Sequence, residues 1–465
     1  MALPNIPNSD LPTFAEMVRQ VLTISSPIRT PEKLFGRERE MQKIELALYT
    51  PGRHVFICGD RGVGKTSLAQ TAAFMTQSSE RPPLCISCDP DSTLESMIEA
   101  IITLAKINTP LHQYKNSTIL GLNLPLFKIE TRFDELETKN ISEPQIKNLA
   151  SAVSALKYLG ENYSQKTIVV IDEFDLIKDE NEKKRFGILL KHLSDGDIKV
   201  NIIFTGIGQS VNEIIGGHLS SERQIEQVVL DRLHFTGRKS IVDGAFSYFG
   251  VDISESVSNR ICSLSDGFPY YIHLMCQKIL HVCWQDDHVI TEVDSSIFMK
   301  GLDEAVISAE ASLRRSYDAA TSRDEHMHYI LWAMAEGADL QREKTHIIAS
   351  YIQVMEMLNI ESLSQKEFNA KFSKLRSTSH GNIITHALTG ESGIRRGWYR
   401  FRENMIRGLV RMQAEHCGIK LNFDRHYSAY TARTSTATVK GIYNPLTPIE
   451  RQVARLRDDT FKNEE

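Results

Sequence analysis

The stretch that decides the fold is VFICGDRGVGKTSLAQ, residues Val55–Gln70. It begins with a short apolar run, passes through a glycine-rich turn and continues into a sequence that favours a helix. The spacing Gly59-x4-Gly64-Lys65-Thr66 matches the phosphate-binding loop pattern in full. We therefore expect a strand, a loop and a helix that together bind the phosphates of ATP.

Each residue type in this loop has a physical task. The glycines allow backbone angles that aim successive N–H groups at phosphate oxygens, and the helix presents its positive N-terminal end to them. Lys65 is expected to reach the β- and γ-phosphates, and Thr66 to bind Mg²⁺. The residues expected to contact ATP here are Gly59, Asp60, Arg61, Gly62, Val63, Gly64, Lys65, Thr66 and Ser67.

A second motif, IVVIDE at Ile168–Glu173, brings two carboxylates to the end of an apolar strand. Asp172 is expected to hold the Mg²⁺ through water, and Glu173 to orient and deprotonate the attacking water. Because Glu173 is present, the sequence predicts hydrolysis of ATP and not binding alone. The alternative is an ordinary strand end with two solvated carboxylates.

Further apolar runs, LCISCDP and KVNIIFTGIG, alternate with helical patterns and are both expected to be buried strands. Such alternation predicts an α/β fold, a parallel sheet wrapped by helices. Ligands of these sheets lie beyond the carboxyl ends of the strands, where both motifs fall.

The chain is predicted to divide into five segments. An N-terminal segment (1–30) precedes the α/β domain (31–236), whose insertion at about 108–165 contains a hairpin pattern, STILGLNLPLFKIET. The strand pattern stops near residue 237, so a helical lid domain (237–318) is expected to follow. Helices and then a basic hairpin at 324–425 predict a winged helix, and a tail (426–465) ends in a short helix.

Several further motifs make the chain resemble an AAA+ P-loop ATPase of the branch that includes origin-recognition and initiator ATPases and the STAND-related proteins. LFGRE at Leu34–Glu38 resembles the box that lies near the adenine, and DEFD at Asp172–Asp175 resembles the acidic motif of that branch. NIIFTGIG resembles the sensor-1 strand, HLSSERQIEQVVL the arginine-finger segment and GFPYYIHLM the lid signature. The last match implies a helical lid over the sheet.

The resemblance implies roles for residues outside the two motifs. Phe35, Gly36 and Arg37 would bind the nucleotide, Thr205 would be the sensor-1 residue, and Pro269 and Tyr270 would cover the base. Arg223 would be an arginine finger that acts in a neighbouring subunit; alternatively it is a surface arginine paired with Glu222 or Glu226. The catalytic set is then Lys65, Glu173, Thr205 and Arg223. The lid helix has no arginine at its start, so whether a sensor-2 cation exists stays open.

Composition narrows the setting. The 465 residues include seven scattered cysteines, which argues against a disulfide framework and predicts a reducing, cytoplasmic location. No apolar run approaches the length of a membrane span, and the first residues lack the pattern of a signal peptide. Cys85-x2-Cys88 is expected to pack in the core and not to bind metal, since no second pair lies at zinc spacing.

Charge is distributed unevenly. Residues 366–425 contain twelve Lys and Arg but only five Asp and Glu, a net charge of +7, whereas the whole chain carries −5. Arg395, Arg396, Arg400 and Arg402 would lie on the wing, where they could bind double-stranded DNA. The alternatives are contact with a protein, contact with the rest of this chain, or neither.

These motifs predict an ATP-hydrolysing AAA+ protein that forms a ring or filament with nucleotide and acts on DNA or on a partner protein complex. Replication, transposition and defence against mobile elements all use this architecture. The alternative is a STAND-like switch, a monomer locked by nucleotide until a trigger allows oligomerisation and effector activation. A two-core helicase is disfavoured because the chain is helical after about residue 240.

Overall fold

The structure is a computed structural model. It describes residues 3–6, 9–24, 26–77, 81–109, 146–208, 222–389 and 393–425. The hairpin expected at 117–131 and the helix expected near the C-terminus lie outside these residues.

A five-stranded parallel sheet organises the first half of the chain. Its strands are β1 (His54–Cys58), β2 (Leu84–Ser87), β3 (Thr167–Asp172), β4 (Val200–Gly206) and β5 (Ile225–Val229). The strand order is β2-β3-β4-β1-β5, and every neighbouring pair is parallel. The predicted α/β class is confirmed. In this order the loop after β1 lies at the carboxyl edge next to β4, and the end of β3 lies on the other side of β4.

Helices cover both faces of the sheet and extend to its flank. The helices of this half are α1 (Leu11–Val21), α2 (Glu38–Tyr49), α3 (Lys65–Thr76), α4 (Leu94–Ile107), α5 (Leu149–Asn162) and α6 (Glu180–Asp195). Alternate side chains of β1 enter two different apolar clusters, Val55 and Ile57 in one, Phe56 and Cys58 in the other. Burial on both faces explains why the strands read as continuous apolar runs.

Strand β2 differs from its prediction as a buried strand. It lies at the sheet edge and pairs only with β3, and its residues Cys85, Ile86 and Ser87 are partly or fully exposed. An apolar run in the sequence shows that a strand can be buried, but its place in the sheet order decides whether it is.

The next unit is helical. Its helices are α7 (Phe235–Phe249), α8 (Glu255–Leu264), α9 (Pro269–Gln285), α10 (Ser295–Ser308) and α11 (Ala311–Thr321). Two short parallel strands, β6 (Asp252–Ile253) and β7 (Glu292–Val293), join it and were not expected from the sequence. Helix α1 packs against this unit, since the rings of Phe14 and Trp284 stack with centroids 4.9 Å apart.

The C-terminal unit combines helices with a small antiparallel sheet. Its elements are α12 (Glu325–Ala335), β8 (Arg342–Glu343), α13 (Lys344–Leu358), α14 (Gln365–Lys374), β9 (Ile384–Thr389), β10 (Gly393–Phe401) and α15 (Ile406–His416). The sheet order is β8-β10-β9. Helix α13 begins at Lys344, directly after Arg342 and Glu343, which pair with β10.

A buried ionic cluster joins the three units. The Asp266 carboxylate, between α8 and α9, contacts the guanidinium groups of Arg232, Arg407 and Arg411. Arg407 and Arg411, both on α15, are 1% and 2% exposed. Two of the twelve cations of residues 366–425 are therefore buried where the units meet, and the positive charge at the surface of this region is smaller than the sequence count.

Of the helices that the structure describes, none is both long and apolar enough to span a membrane.

Candidate nucleotide-binding site

The loop between β1 and α3 requires glycine at its first position. The φ angle of Gly59 is +156°, and a Cβ there would lie 2.3 Å from the carbonyl oxygen of Leu230. Any side chain at this position would therefore displace the backbone at Leu230, directly after β5. The glycine lets the loop pass close to β5 and turn towards α3.

Lys65 lies folded over this loop. Its Nζ donates hydrogen bonds to the carbonyl oxygens of Gly59 (3.1 Å) and Asp60 (2.8 Å). Burial lowers the pKa of Lys65, while the nearby carboxylates, Asp175 foremost, act in the opposite direction. The two carbonyl oxygens hold the ammonium group at the loop, and phosphate oxygens could replace them as hydrogen-bond acceptors. A phosphate within a few ångströms would also favour the protonated, charged form of Lys65.

Thr66 and Asp172 face each other where α3 begins and β3 ends. The Thr66 hydroxyl donates to Asp172, with Oγ1 to Oδ2 at 2.8 Å and Oγ1 to Oδ1 at 3.1 Å. Mg²⁺ prefers one or two protein oxygen ligands with water and phosphate oxygens completing the octahedron. A hydroxyl and a carboxylate fit that requirement. Within the described part of the chain, no cluster of three or more His, Cys, Asp or Glu offers an all-protein metal cage.

Glu173 has an unusual backbone conformation. It is exposed, and its φ of +56° and ψ of +38° lie in the left-handed region, where a residue other than glycine costs about 1–3 kcal/mol. Its backbone N–H donates to the Thr205 hydroxyl at 3.2 Å. The sharp turn directly after Asp172 separates the environments of the two carboxylates, one at Thr66 and the other in solvent.

Thr205 connects the ends of β3 and β4. It is fully buried, and its hydroxyl forms hydrogen bonds with the Asp172 carboxylate and with the N–H of Glu173. Asp175 adds a second link by accepting the N–H of Ile207 at 2.8 Å. Thr205, which the sequence predicted to be the sensor-1 residue, therefore also holds Asp172 and Glu173 in position.

Arg37 supports the phosphate-binding loop. It is 4% exposed, and its guanidinium donates to the carbonyl oxygens of Val63 (2.9 Å) and Asp231 (2.7 Å). Burial lowers the pKa of Arg37, and Glu40 opposes this shift. Its neighbour Gly36 lies against Gly237 of α7, and Phe35 is partly buried. Contact of Phe35, Gly36 and Arg37 with a nucleotide stays a prediction.

The start of α9 covers the loop. The Cγ of Pro269 is 4.0 Å from the position that a Cβ on Gly64 would occupy. Tyr270 is half-buried beside it, its ring centroid 5.1 Å from that of Tyr271. The helical unit therefore reaches the phosphate-binding loop through Pro269, and the predicted contact of Pro269 and Tyr270 with the base stays a prediction.

Arg223 lies far from these groups along the strands. It directly precedes β5, whose first residue Ile225 pairs with His54, the first residue of β1. It is exposed and borders a cavity of about 260 Å³ with Arg53. Glu226, one of its two expected partners, forms an ion pair with Arg53. Arg223 thus occupies the amino edge of the sheet, opposite the phosphate-binding loop of its own chain, and its role as an arginine finger stays a prediction.

Three residues that sequence reasoning missed also contact the loop. Arg61 forms ion pairs with Glu310 (2.7 Å) and Glu403 (3.1 Å), and Asn404 donates to Asp60 at 2.7 Å. They follow α10 and β10 and are remote from the loop in sequence. No motif marks them, so only the tertiary structure could reveal the contact.

Cys85 lies in β2 and Cys88 directly after it. Burial raises the pKa of Cys85 to about 11 and that of Cys88 to about 12. Cys88 is buried and Cys85 is half-buried. Both thiols are therefore protonated near neutral pH and poorly suited to bind a metal as thiolates.

The comparisons with known proteins agree with this geometry. Residues 33–203, less than half of the chain, match the family model described as the AAA ATPase domain. The α/β unit has the AAA+ P-loop ATPase fold. The matched stretch contains the phosphate-binding loop, Asp172 and Glu173, but ends just before Thr205. No curated protein matches the sequence.

Among solved structures, the Walker-type ATPase PABY2304 of Pyrococcus abyssi is similar over 83% of this chain and 99% of that chain, with 18% identity and a TM-score of 0.50. The Aeropyrum pernix ORC1 protein, solved in complex with DNA, is similar over 83% and 96%, with 13% identity and a TM-score of 0.41. The Thermotoga maritima RuvB Holliday junction branch migration motor is similar over 84% of this chain and 98% of that chain, with 15% identity and a TM-score of 0.38. The first of these similarities supports the fold.

Proposed function

We propose that this chain is a cytoplasmic ATPase that binds and hydrolyses ATP with Mg²⁺, oligomerises with nucleotide and acts on DNA or on a partner protein complex. The observation that carries the proposal is the meeting of Thr66, Asp172 and Glu173 at the carboxyl edge of the sheet, beside the phosphate-binding loop. A phosphate loop alone would support binding only.

The residues divide the chemistry among them. Loop N–H groups and Lys65 bind and orient the phosphates, and Thr66 with Asp172 would hold the Mg²⁺, which supplies positive charge beside them. Glu173, exposed and separate from that pair, can accept a proton from an attacking water. Thr205 positions Glu173 through its backbone N–H.

The position of Arg223 supports an oligomer. It lies at the edge of the sheet opposite the phosphate loop of its own chain. A ring or filament would bring this edge to the carboxyl edge of the next copy, where a guanidinium can stabilise the charge of the transition state. The exposed position before β5 is consistent with such a role in a neighbouring subunit.

The C-terminal unit supports a partner role. We infer a winged helix from the order α12-β8-α13-α14-β9-β10, in which α14 is the helix before the hairpin. Lys366, Lys374, Arg395 and Arg396 are exposed on α14 and β10. Such cations bind DNA phosphates and give salt-dependent affinity, so double-stranded DNA is the partner that we favour for this unit.

One observation favours a second function, a STAND-like switch. The C-terminal unit touches the phosphate-binding loop through Glu403 and Asn404, so nucleotide and the arrangement of the units could control each other. A stable ADP-bound monomer after purification would favour the switch. Rings or filaments that form with ATP and duplex DNA would favour the ATPase that acts on DNA.

Hydrolysis and the shared site are tested together by mixing two variants. Glu173→Gln and Arg223→Ala are each expected to lose at least about tenfold in kcat while they keep ATP affinity. A mixture should regain activity, because some sites then combine an intact Glu173 with an intact Arg223 from the neighbouring copy. Phosphate release at several protein concentrations measures both effects.

The controls are Glu161→Gln and Arg39→Ala, which change exposed residues of α5 and α2 in the same way. Both should hydrolyse ATP at the parent rate. A Glu173→Gln variant that turns over ATP like the parent would refute the catalytic proposal. A mixture no more active than the sum of its components would refute the shared site.

A further inference from the structure

A short segment of the C-terminal unit sits directly on the phosphate-binding loop. It comprises Glu403–Met405, between β10 and α15, and each of its residues contacts one residue of Asp60–Gly62. Glu403 forms an ion pair with Arg61 at 3.1 Å, and Asn404 donates to the Asp60 carboxylate at 2.7 Å. The third contact is between Met405 and Gly62.

The contact leaves no room for a Cβ at Gly62 while Met405 keeps its position. Gly62 has a φ of +79°, and a Cβ there would lie 2.7 Å from the Met405 Sδ. Met405 is 3% exposed. Its carbonyl oxygen accepts a hydrogen bond from the Tyr271 hydroxyl at 2.8 Å. The segment is therefore held between the loop and α9 and cannot shift without altering both.

The charges in this contact oppose the ligand that the loop is built to bind. Arg61, the cation in the variable part of the loop, is neutralised by two carboxylates, Glu310 at 2.7 Å and Glu403 at 3.1 Å. Burial raises the pKa of Glu403, and Arg61 opposes that shift. Two carboxylates at the loop repel an incoming polyphosphate, and more strongly the more charge it carries.

The contact also contains an unsatisfied group. Asn404 is 9% exposed, and its Oδ1 has no hydrogen-bond partner among the residues described. A buried acceptor without a donor is unfavourable, because it has lost its hydrogen bonds to water and gained none in the protein. This cost lowers the stability of the contact and so makes it easier to break than a fully satisfied interface.

We propose that Glu403, together with Glu310, sets the preference of this site between nucleoside diphosphate and nucleoside triphosphate, and that triphosphate binding is coupled to separation of Glu403–Met405 from the loop. This inference rests on the proposed nucleotide site. The extra charge of the third phosphate is disfavoured while both carboxylates lie at Arg61. Leaving that contact removes Glu403 and leaves Arg61 paired with Glu310 alone, so the negative charge at the loop falls by one.

Coupling of this kind acts in both directions. If the triphosphate weakens the contact, any partner that pulls the C-terminal unit away must raise the affinity for triphosphate relative to diphosphate by the same factor. The segment would thereby make the C-terminal unit part of the nucleotide site.

The test compares the dissociation constants of ADP and of ATPγS, a slowly hydrolysed ATP analogue, at constant ionic strength and Mg²⁺ concentration. Glu403→Gln and Glu310→Gln each remove one negative charge and keep the shape. Each should change the ratio of the two constants in favour of ATPγS by about two- to fivefold, the range expected for a partly exposed charge pair. The double variant should change it further.

Glu304→Gln is the matched control. Its carboxylate is 34% exposed, against 33% for Glu310 and 27% for Glu403, and it pairs with Lys278 in the same helical unit. Its ratio should equal that of the parent. Asn404→Ala is the second probe, because it removes the hydrogen bond to Asp60 and loosens the segment without adding a charge at the loop. Its ratio should also move towards ATPγS.

The outcomes separate the two proposals. A parent protein that binds neither nucleotide overturns the proposed function and the inference with it. A parent that binds both, with folded Glu310→Gln/Glu403→Gln and Asn404→Ala variants at the parent ratio, overturns the inference alone. An equal shift in Glu304→Gln would show a general effect of net charge and would also overturn it.

Discussion

At the scale of single residues, Thr205 contacts both carboxylate residues of the proposed chemistry. Its hydroxyl bonds to the Asp172 carboxylate and accepts the N–H of Glu173. Glu173 needs such support because its left-handed backbone is costly. A resemblance to known sensor-1 strands indicated Thr205, but it could not indicate that one hydroxyl holds both carboxylate residues in place.

Thr205→Val should therefore reduce kcat on the order of tenfold with little change in the affinity for ATP, because the lost hydrogen bonds involve a charged group and are worth about 1.5–3 kcal/mol. Steady-state hydrolysis and nucleotide titration measure the two effects. Thr167→Val is the control, since Thr167 is equally buried at the other end of β3 and its hydroxyl has no hydrogen-bond partner in the described residues. Equal losses in both variants would contradict the assigned role.

At the scale of elements, the hairpin of β9 and β10 carries part of the positive charge of residues 366–425 that stays on the surface. Several cations of 366–425 have internal partners: Lys371 pairs with Asp324, Arg402 bonds to Asn382, and Arg407 and Arg411 are buried. Arg395 and Arg396 are exposed on β10, and the Arg395 guanidinium lies 3.2 Å from the centre of the Trp398 ring. The surface available to DNA is therefore narrower than the sequence count of cations implies.

Arg395→Ala/Arg396→Ala should weaken binding to a mixed-sequence DNA duplex and reduce the slope of log affinity against log salt by about 2, because each phosphate contact contributes about 0.9. Fluorescence anisotropy at several salt concentrations measures the slope. Arg19→Ala/Arg39→Ala removes the same charge from exposed positions of α1 and α2 and should leave the slope unchanged. Identical slopes in both double variants would argue against a DNA-binding hairpin.

At the scale of the whole molecule, the buried cluster around Asp266 joins the α/β unit, the helical unit and the C-terminal unit. Burial alone would raise the pKa of Asp266, but Arg407, Arg411 and Arg232 hold it below the ordinary value. Arg407 and Arg411 also donate to the carbonyl oxygen of Gly337. The single carboxylate of Asp266 thus compensates guanidinium groups of the α/β unit and of the C-terminal unit.

Asp266→Asn should lower the free energy of unfolding by about 3–5 kcal/mol, because it leaves buried guanidinium groups without their counter-charge. Denaturant titration measures this loss. Asp303→Asn, which breaks an exposed pair with His416, should cost at most about 1 kcal/mol. Similar losses in the two variants would show that the buried cluster contributes no more to the free energy of unfolding than an exposed ion pair.

The same cluster predicts a pH dependence. Because the folded pKa of Asp266 lies below that of the unfolded chain, about 3.9, its stabilisation is complete above that value and is lost as the pH falls through the folded pKa. The difference in unfolding free energy between parent and Asp266→Asn should therefore shrink below about pH 4. A difference that stays constant from pH 7 to below 4 would contradict the assigned charge state.

What the sequence by itself determined lies in patterns that act over a few residues. The glycine spacing of the phosphate loop, the apolar strands that end in Asp172 and Glu173, and the alternation of strands with helices follow from local backbone sterics and from burial on both faces of a sheet. These were sufficient to predict the parallel sheet and the edge at which a nucleotide would bind.

The tertiary structure alone decided what depends on residues far apart in the chain. It put β2 at the sheet edge, buried Arg407 and Arg411 around Asp266, and brought Glu310 and Glu403 to Arg61. The sequence does not distinguish a charged side chain in water from one beside a buried counter-charge. Which of the two it meets is set by the packing of whole units, because the energy of a charge depends on its surroundings and not on its neighbours in sequence.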